Sequence, residues 1–117
     1  MDHSTLVKAL AKDGNIIASE LTGEQAHMLH MAIGIAGEAG ELLDAIKKHV
    51  IYRKDLNRPN VIVELGDIEF YMEGLRQAVN VTRAVTISEN INKLSVRYGK
   101  EYSDKAAQDR KDKQDGT

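Results

Sequence analysis

Apolar residues in this chain recur at helical spacing. From Met28 they fall at 28, 29, 32, 35, 36, 39, 42, 43, 46 and 50, a stripe with the three-to-four period of one helix face. Thr22 followed by Gln25 has capping-box spacing just ahead of it, so the pattern predicts a helix over 23–49, about 40 Å long at roughly 1.5 Å per residue. The polar connection IYRKDLNR follows at 51–58, and Pro59 suits a first helical turn because its missing N–H would be unpaired there. A second long helix is predicted over 59–79. Asn80-Val81-Thr82 then offers a break and a new cap, and apolar residues at 85, 87, 91, 94 and 98 predict a third main helix ending by Gly99.

The flanks are weaker. Ser4 is expected to cap a short helix that stops near Gly14, and the closing KEYSDKAAQDRKDKQDGT predicts at most a short helix followed by a frayed tail. No alternating strand pattern of useful length occurs. The expectation is an all-α fold in a single domain over 1–117, with its core at about 22–99 and a flexible 100–117 tail.

Composition sharpens this picture in one respect. Apolar residues make up 42% of the chain and aromatics 4%, with one Phe and no Trp, so the core must come from Leu, Ile, Val, Ala and Met. Three long helices of this kind carry more apolar face than one short chain can cover, which predicts a homodimer or dimer of dimers completing a shared bundle. Zero cysteines removes disulfides, thiolate metal sites and cysteine nucleophiles, and makes a reducing, cytoplasmic setting the expectation. No uninterrupted apolar run reaches about 18 residues, so no membrane partner is expected. A net charge of -2 without a basic stripe gives no field for nucleic acid.

The chemistry lies in the acids. In GEAGELLDAIKK, Glu38 and Glu41 stand three apart, and Glu38 is in line with Ile35 and Leu42 on the apolar side. VIVELGDIEFY repeats the arrangement, with Glu64 and Asp67 three apart and Glu64 in line with Val61, Ile68 and Tyr71. Ionised carboxylates withdrawn from water require compensation, and too few Lys or Arg residues share these lines. A single acidic pair at this spacing is usually a solvated face. Two pairs on apolar faces, each beside glycine, point instead to a hard divalent cation such as Mg²⁺ or Mn²⁺, which takes oxygen ligands at about 2.1 Å. Gly37, Gly40 and Gly66 are read as places where another helix or a ligand approaches closely. Di-iron bundles compete, but they use a His three residues after a Glu, and Glu41 and Asp67 stand there instead.

Together, HMAIGIAGEAGELLDAIKKHVIY, ELGDIEFY and NINKLSVRY resemble the MazG-type nucleoside triphosphate pyrophosphohydrolases of the all-α NTP pyrophosphatase superfamily, above all the short single-domain members found in phages and mobile elements. The resemblance covers roughly residues 27–110. It implies a helical bundle closed by dimerisation and Mg²⁺-dependent hydrolysis of an NTP or dNTP to the monophosphate and pyrophosphate, in nucleotide-pool housecleaning. It further implies that Glu38, Glu41, Glu64 and Asp67 hold the metal, and that Asn90, Lys93, Arg97 and Tyr98 approach the nucleotide or its phosphates. Residues 90, 93 and 97 share one helix face, so an amide, an ammonium and a guanidinium can be presented together. Phe70 stands where many relatives carry Trp, and GKEYS follows the final RY in place of a proline and an aromatic.

Glu41, ahead of Glu38, is expected to polarise the attacking water, with Lys93 and Arg97 steadying the β and γ phosphates. His30 matches a histidine common in close relatives and is a candidate for the base pocket. Lys47 is a lesser candidate phosphate ligand, since cations near a helix C-terminus are favoured whatever the function. Asp44 is read either as a neighbour of the cage or as a partner of Lys48. Two alternatives stand beside hydrolysis of a general NTP: phosphoribosyl-ATP as the substrate, and a helical regulator that binds metal and nucleotide without cleaving it.

Overall fold

A computed structural model describes residues 2–99 and 103–109. They form α1 (His3–Leu10), α2 (Gly14–Glu20), α3 (Gly23–Val50), α4 (Arg58–Ala78), α5 (Arg83–Tyr98) and α6 (Asp104–Asp109), and no strand occurs among the described residues. The fold is all-α. Residues up to Leu75 make one compact unit and those from Arg76 onward a second.

In the first unit each helix start is set by a short polar side chain accepting from orphan backbone N–H groups. Asp2 accepts from Thr5 N at 2.8 Å, so the cap of α1 is Asp2 and not the expected Ser4. Gly14 does not end that helix. Asp13 accepts from Asn15 N at 2.8 Å and starts α2, a helix too short for its periodicity to stand out in the sequence. The capping box at Thr22 and Gln25 forms in both directions, at 3.1 and 3.0 Å. Asn57 caps α4 by accepting from Asn60 N at 3.2 Å, which places Pro59 within the first turn.

α3 and α4 run antiparallel, as the pairs between them show: His30 lies edge-on to Tyr71, Met31 abuts Gly74, Gly34 abuts Tyr71, and Glu38 reaches Glu64. The inward face of α3 carries Met31, Gly34, Ile35, Glu38, Leu42 and Ala45, and that of α4 carries Val61, Glu64, Ile68 and Tyr71. These are the lines read from the sequence. Two glycines permit the close approach. A Cβ at Gly34 would overlap the Tyr71 ring, and one at Gly74 would overlap the Met31 sulfur.

Little of the apolar surface is sealed. Met31, at 6% exposure, is the one buried apolar residue among those described, whereas Ile33, Leu43 and Phe70 are 61–68% exposed. No helix among the described residues is long and apolar enough to cross a membrane.

In the second unit the chain leaves α4 through Asn80, which adopts φ 57, and the Val81 N–H donates to Arg76 O at 3.0 Å. Thr82 then caps α5 at Val85 N, 3.2 Å away. Gly99 closes α5 at φ 67, the left-handed region that glycine enters without strain, with its N–H on Ser95 O at 3.0 Å. α6 packs beside α5 and is the short helix expected in this stretch. The frayed tail expected beyond it lies outside the described residues.

Candidate functional site

Antiparallel pairing brings the ExxE segment of α3 against the ExxD segment of α4. One carboxylate oxygen each from Glu38, Glu64 and Asp67 lies within 4.8 Å of the others. Opposed ligands on one hard cation with bonds of about 2.1 Å are roughly 4.2 Å apart, so the three can converge on a single ion. Glu38 and Glu64 are half-buried and Asp67 is exposed. An apolar wall thus stands behind the cluster and water has access from Asp67. Glu41 is not among the three. It is exposed, one turn along α3, and lines a cavity together with Glu64.

Glu64 carries the electrostatic tension. Its Oε2 is buried and has no hydrogen-bond partner. Its pKa is raised above the ordinary 4.5, first by the side-chain hydrogen bond with Glu38, then by burial, then by the negative charges of Glu38, Asp67 and Glu41. No ammonium or guanidinium among the described residues forms a salt bridge with any of the four acids. Lys48, which lines the same cavity as Glu41 and Glu64, is taken by Asp44 at 2.9 Å, which lowers the Asp44 pKa and raises that of Lys48. Asp44 is therefore the i,i+4 partner of Lys48. A divalent cation would give the orphan oxygen a partner and offset the mutual repulsion, so the donor set fits a hard metal.

The glycines next to these acids are not points of close approach within the chain. A Cβ at Gly37, Gly40 or Gly66 would meet nothing within 4 Å. No described part of this chain fills that space, and the tight contacts within the chain fall at Gly34 and Gly74. The signal for these two was their alignment with the apolar stripes, not proximity to the acids.

His30 sits edge-on to Tyr71 with ring centroids 6.2 Å apart, and Phe70 meets the same tyrosine perpendicularly at 5.1 Å. An aromatic group thus flanks the acids on the Met31 side. The Lys47 ammonium lies 5.4 Å from the centre of the Tyr52 ring, a cation–π contact that accounts for its position without a phosphate. Asn90, Lys93, Arg97 and Tyr98 lie in the second unit on α5, where the Arg97 guanidinium is 5.7 Å from the Tyr98 ring centre.

An all-α chain with a three-carboxylate cluster between antiparallel helices is the class that fold and geometry define. The chain is 33% identical over 73 residues to the Gene 37 protein of Mycobacterium phage L5, a match spanning 58% of this chain and 63% of that protein. No family model matches the chain. No solved structure matches it either.

Proposed function

We propose that this protein is a Mg²⁺-dependent nucleoside triphosphate pyrophosphohydrolase of the MazG type, cleaving an NTP or dNTP to its monophosphate and pyrophosphate. The observation that carries this reading is the convergence of Glu38, Glu64 and Asp67, with a buried Glu64 oxygen that has no hydrogen-bond partner. The ExxE and ExxD resemblance points the same way, and the phage relative accords with the phage type of that resemblance. Mn²⁺ is the expected substitute metal.

In the reaction a water oxygen bonds to the α phosphorus while the bond from that phosphorus to the bridging oxygen breaks, and pyrophosphate departs with the electron pair. A divalent cation, when bound, would supply charge neutralisation on the phosphate oxygens. Glu38, Glu64 and Asp67 would hold it, and Glu41, exposed at the edge of the cluster, orients the water and accepts its proton. The parts of Asn90, Lys93, Arg97 and Tyr98 as contacts to substrate phosphates rest on the resemblance and on their shared face of α5. The His30–Tyr71 pair is the candidate base contact. Homodimerisation belongs to the same proposal, supported by apolar side chains such as Ile33, Leu43 and Val63 that remain exposed in the single chain.

Pyrophosphate release from a panel of NTPs and dNTPs, with Mg²⁺ and with EDTA, tests the reading. Metal-dependent release that is lost in Glu38→Gln is the expected outcome. No release from any member by folded protein would remove hydrolysis of a general NTP.

A further inference from the structure

The connection between α3 and α4 concentrates positive charge in a chain that is negative overall. Its segment KKHVIYRKDLNR, residues 47–58, holds five Lys and Arg against one Asp, while the whole chain has a net charge of -2. Every residue from 46 to 59 is exposed. Lys48 is committed to Asp44, and Lys54 and Asp55 share a cavity lining with Glu41 and Glu64, so on that side the charges offset one another. Lys47, Arg53 and Arg58 stand outside that lining, and no carboxylate among the described residues forms a salt bridge with them.

The same turn displays apolar side chains: Val50, Ile51, Tyr52 and Leu56 are 45–63% exposed. Its backbone is held in one shape. Ile51 N donates to Lys47 O at 2.7 Å and Lys54 N to Lys48 O at 3.2 Å, while the His49 Nδ1 meets Lys54 O at 2.8 Å. Arg53 takes φ 56 to make this return, a conformation that a non-glycine residue adopts only when its surroundings hold it there. The apolar groups are therefore presented to the outside and not free to fold away.

This pairing of cations with aliphatic side chains selects among anionic partners. Single-stranded nucleic acid is held by rows of stacking aromatics, and the turn offers Tyr52 alone and leaves Val50, Ile51 and Leu56 without a role. A two-fold contact with a second copy would set the cations of the turn against themselves. A peptide needs a groove, which a run of uniformly exposed residues does not form. A lipid interface takes all of them: acyl chains fill in around protruding aliphatic groups, a tyrosine ring suits the headgroup level, and Lys and Arg reach lipid phosphates. We propose that the α3–α4 connection docks on an anionic lipid surface, with Val50, Ile51, Tyr52 and Leu56 entering the headgroup region and Lys47, Arg53 and Arg58 meeting lipid phosphates. Such contact lies on the bilayer face and requires no spanning helix. It is independent of the reaction proposed for the acids.

Co-sedimentation of the full chain with vesicles of phosphatidylserine and phosphatidylcholine in equal parts tests it, against vesicles of phosphatidylcholine alone. EDTA is included so that no divalent cation bridges the acidic cluster to the headgroups. Binding to the mixed vesicles only, weakened by added salt, is the expected result. Ile51→Ser should weaken it about tenfold through the loss of one buried aliphatic side chain. Arg53→Asn, which keeps a residue type tolerant of the left-handed backbone, should weaken it about fivefold. Arg83→Asn, the same loss of charge on α5, should bind as wild type does. No binding of wild type to the mixed vesicles overturns the proposal, and so does an equal loss in Arg83→Asn, which would reduce the effect to net charge. Ile51→Ser that dissociates an oligomer in sedimentation and leaves lipid affinity intact would make the turn an interface between copies. Tighter binding of a single-stranded oligonucleotide, lost in Arg53→Asn, would make it a polynucleotide surface and overturn the lipid assignment.

Discussion

The two ends of the α3–α4 hairpin solve opposite problems. At one end Met31, Gly34, Tyr71 and Gly74 interlock so closely that the glycines have no room for a methyl group. At the other, Glu38, Glu64 and Asp67 converge, and the neighbouring Gly37, Gly40 and Gly66 have open space beside them. The first end gains from packing and orders the pair of helices. The second holds like charges together against their repulsion, which a fold selected for stability alone would avoid. The contrast assigns structure to one end and ligand chemistry to the other.

Substitution at the acidic end carries the largest expected effect. Glu64→Gln removes a proposed metal ligand while keeping the shape, and is expected to reduce Mg²⁺-dependent pyrophosphate release by about a hundredfold or more, read from initial rates. In EDTA the same variant should melt no lower than wild type, because it also removes a repelling charge. A large loss of metal-free stability would instead mark Glu64 as a structural residue.

Next comes the packed end. Gly34→Ala places a methyl group against the Tyr71 ring near its backbone attachment, where rotation gives little relief, and should destabilise the chain by about 1–3 kcal/mol in urea unfolding. Gly74→Ala meets the mobile Met31 side chain and should be milder. A reversed order would mean that the ring yields more easily than the thioether.

Gly37→Ala and Gly66→Ala test the other side of the contrast. With nothing within 4 Å of the new Cβ, each is expected to stabilise by up to about 1 kcal/mol through helix propensity. Destabilisation at either position would reveal a neighbour supplied by a second copy or a ligand.

The smallest effect is the pH dependence of metal-free protein. The Glu64 pKa is higher in the folded chain than its ordinary 4.5, so the native state binds that proton more tightly than the unfolded state does. Its contribution to stability is complete below the unfolded value and is lost as pH rises through the folded one. The melting temperature of Glu64→Gln relative to wild type in EDTA should therefore increase between about pH 4.5 and pH 7. A difference that stays flat, or shrinks, would mean Glu64 ionises without hindrance.

Much of this was legible in the residues. The 3.6-residue stripes, the Thr22–Gln25 box and the Thr82 cap set the long helices to within a residue or two, because these signals are local. Glu38 and Glu64 announced themselves by lying in apolar lines that do turn inward. α2 was hidden, since its seven residues are too few to show a period. The tight contacts at Gly34 and Gly74 were not read from the sequence, because nearness to the acids says nothing about which turn faces the neighbouring helix.

The most direct test of the central claim, that the acids of α3 and α4 form a metal site, is Mn²⁺ binding followed by electron paramagnetic resonance in wild type and Glu64→Gln. Saturable binding to wild type that Mg²⁺ displaces, and its loss in the variant, is the predicted result. Equal binding by the two proteins, or none by wild type, would contradict it.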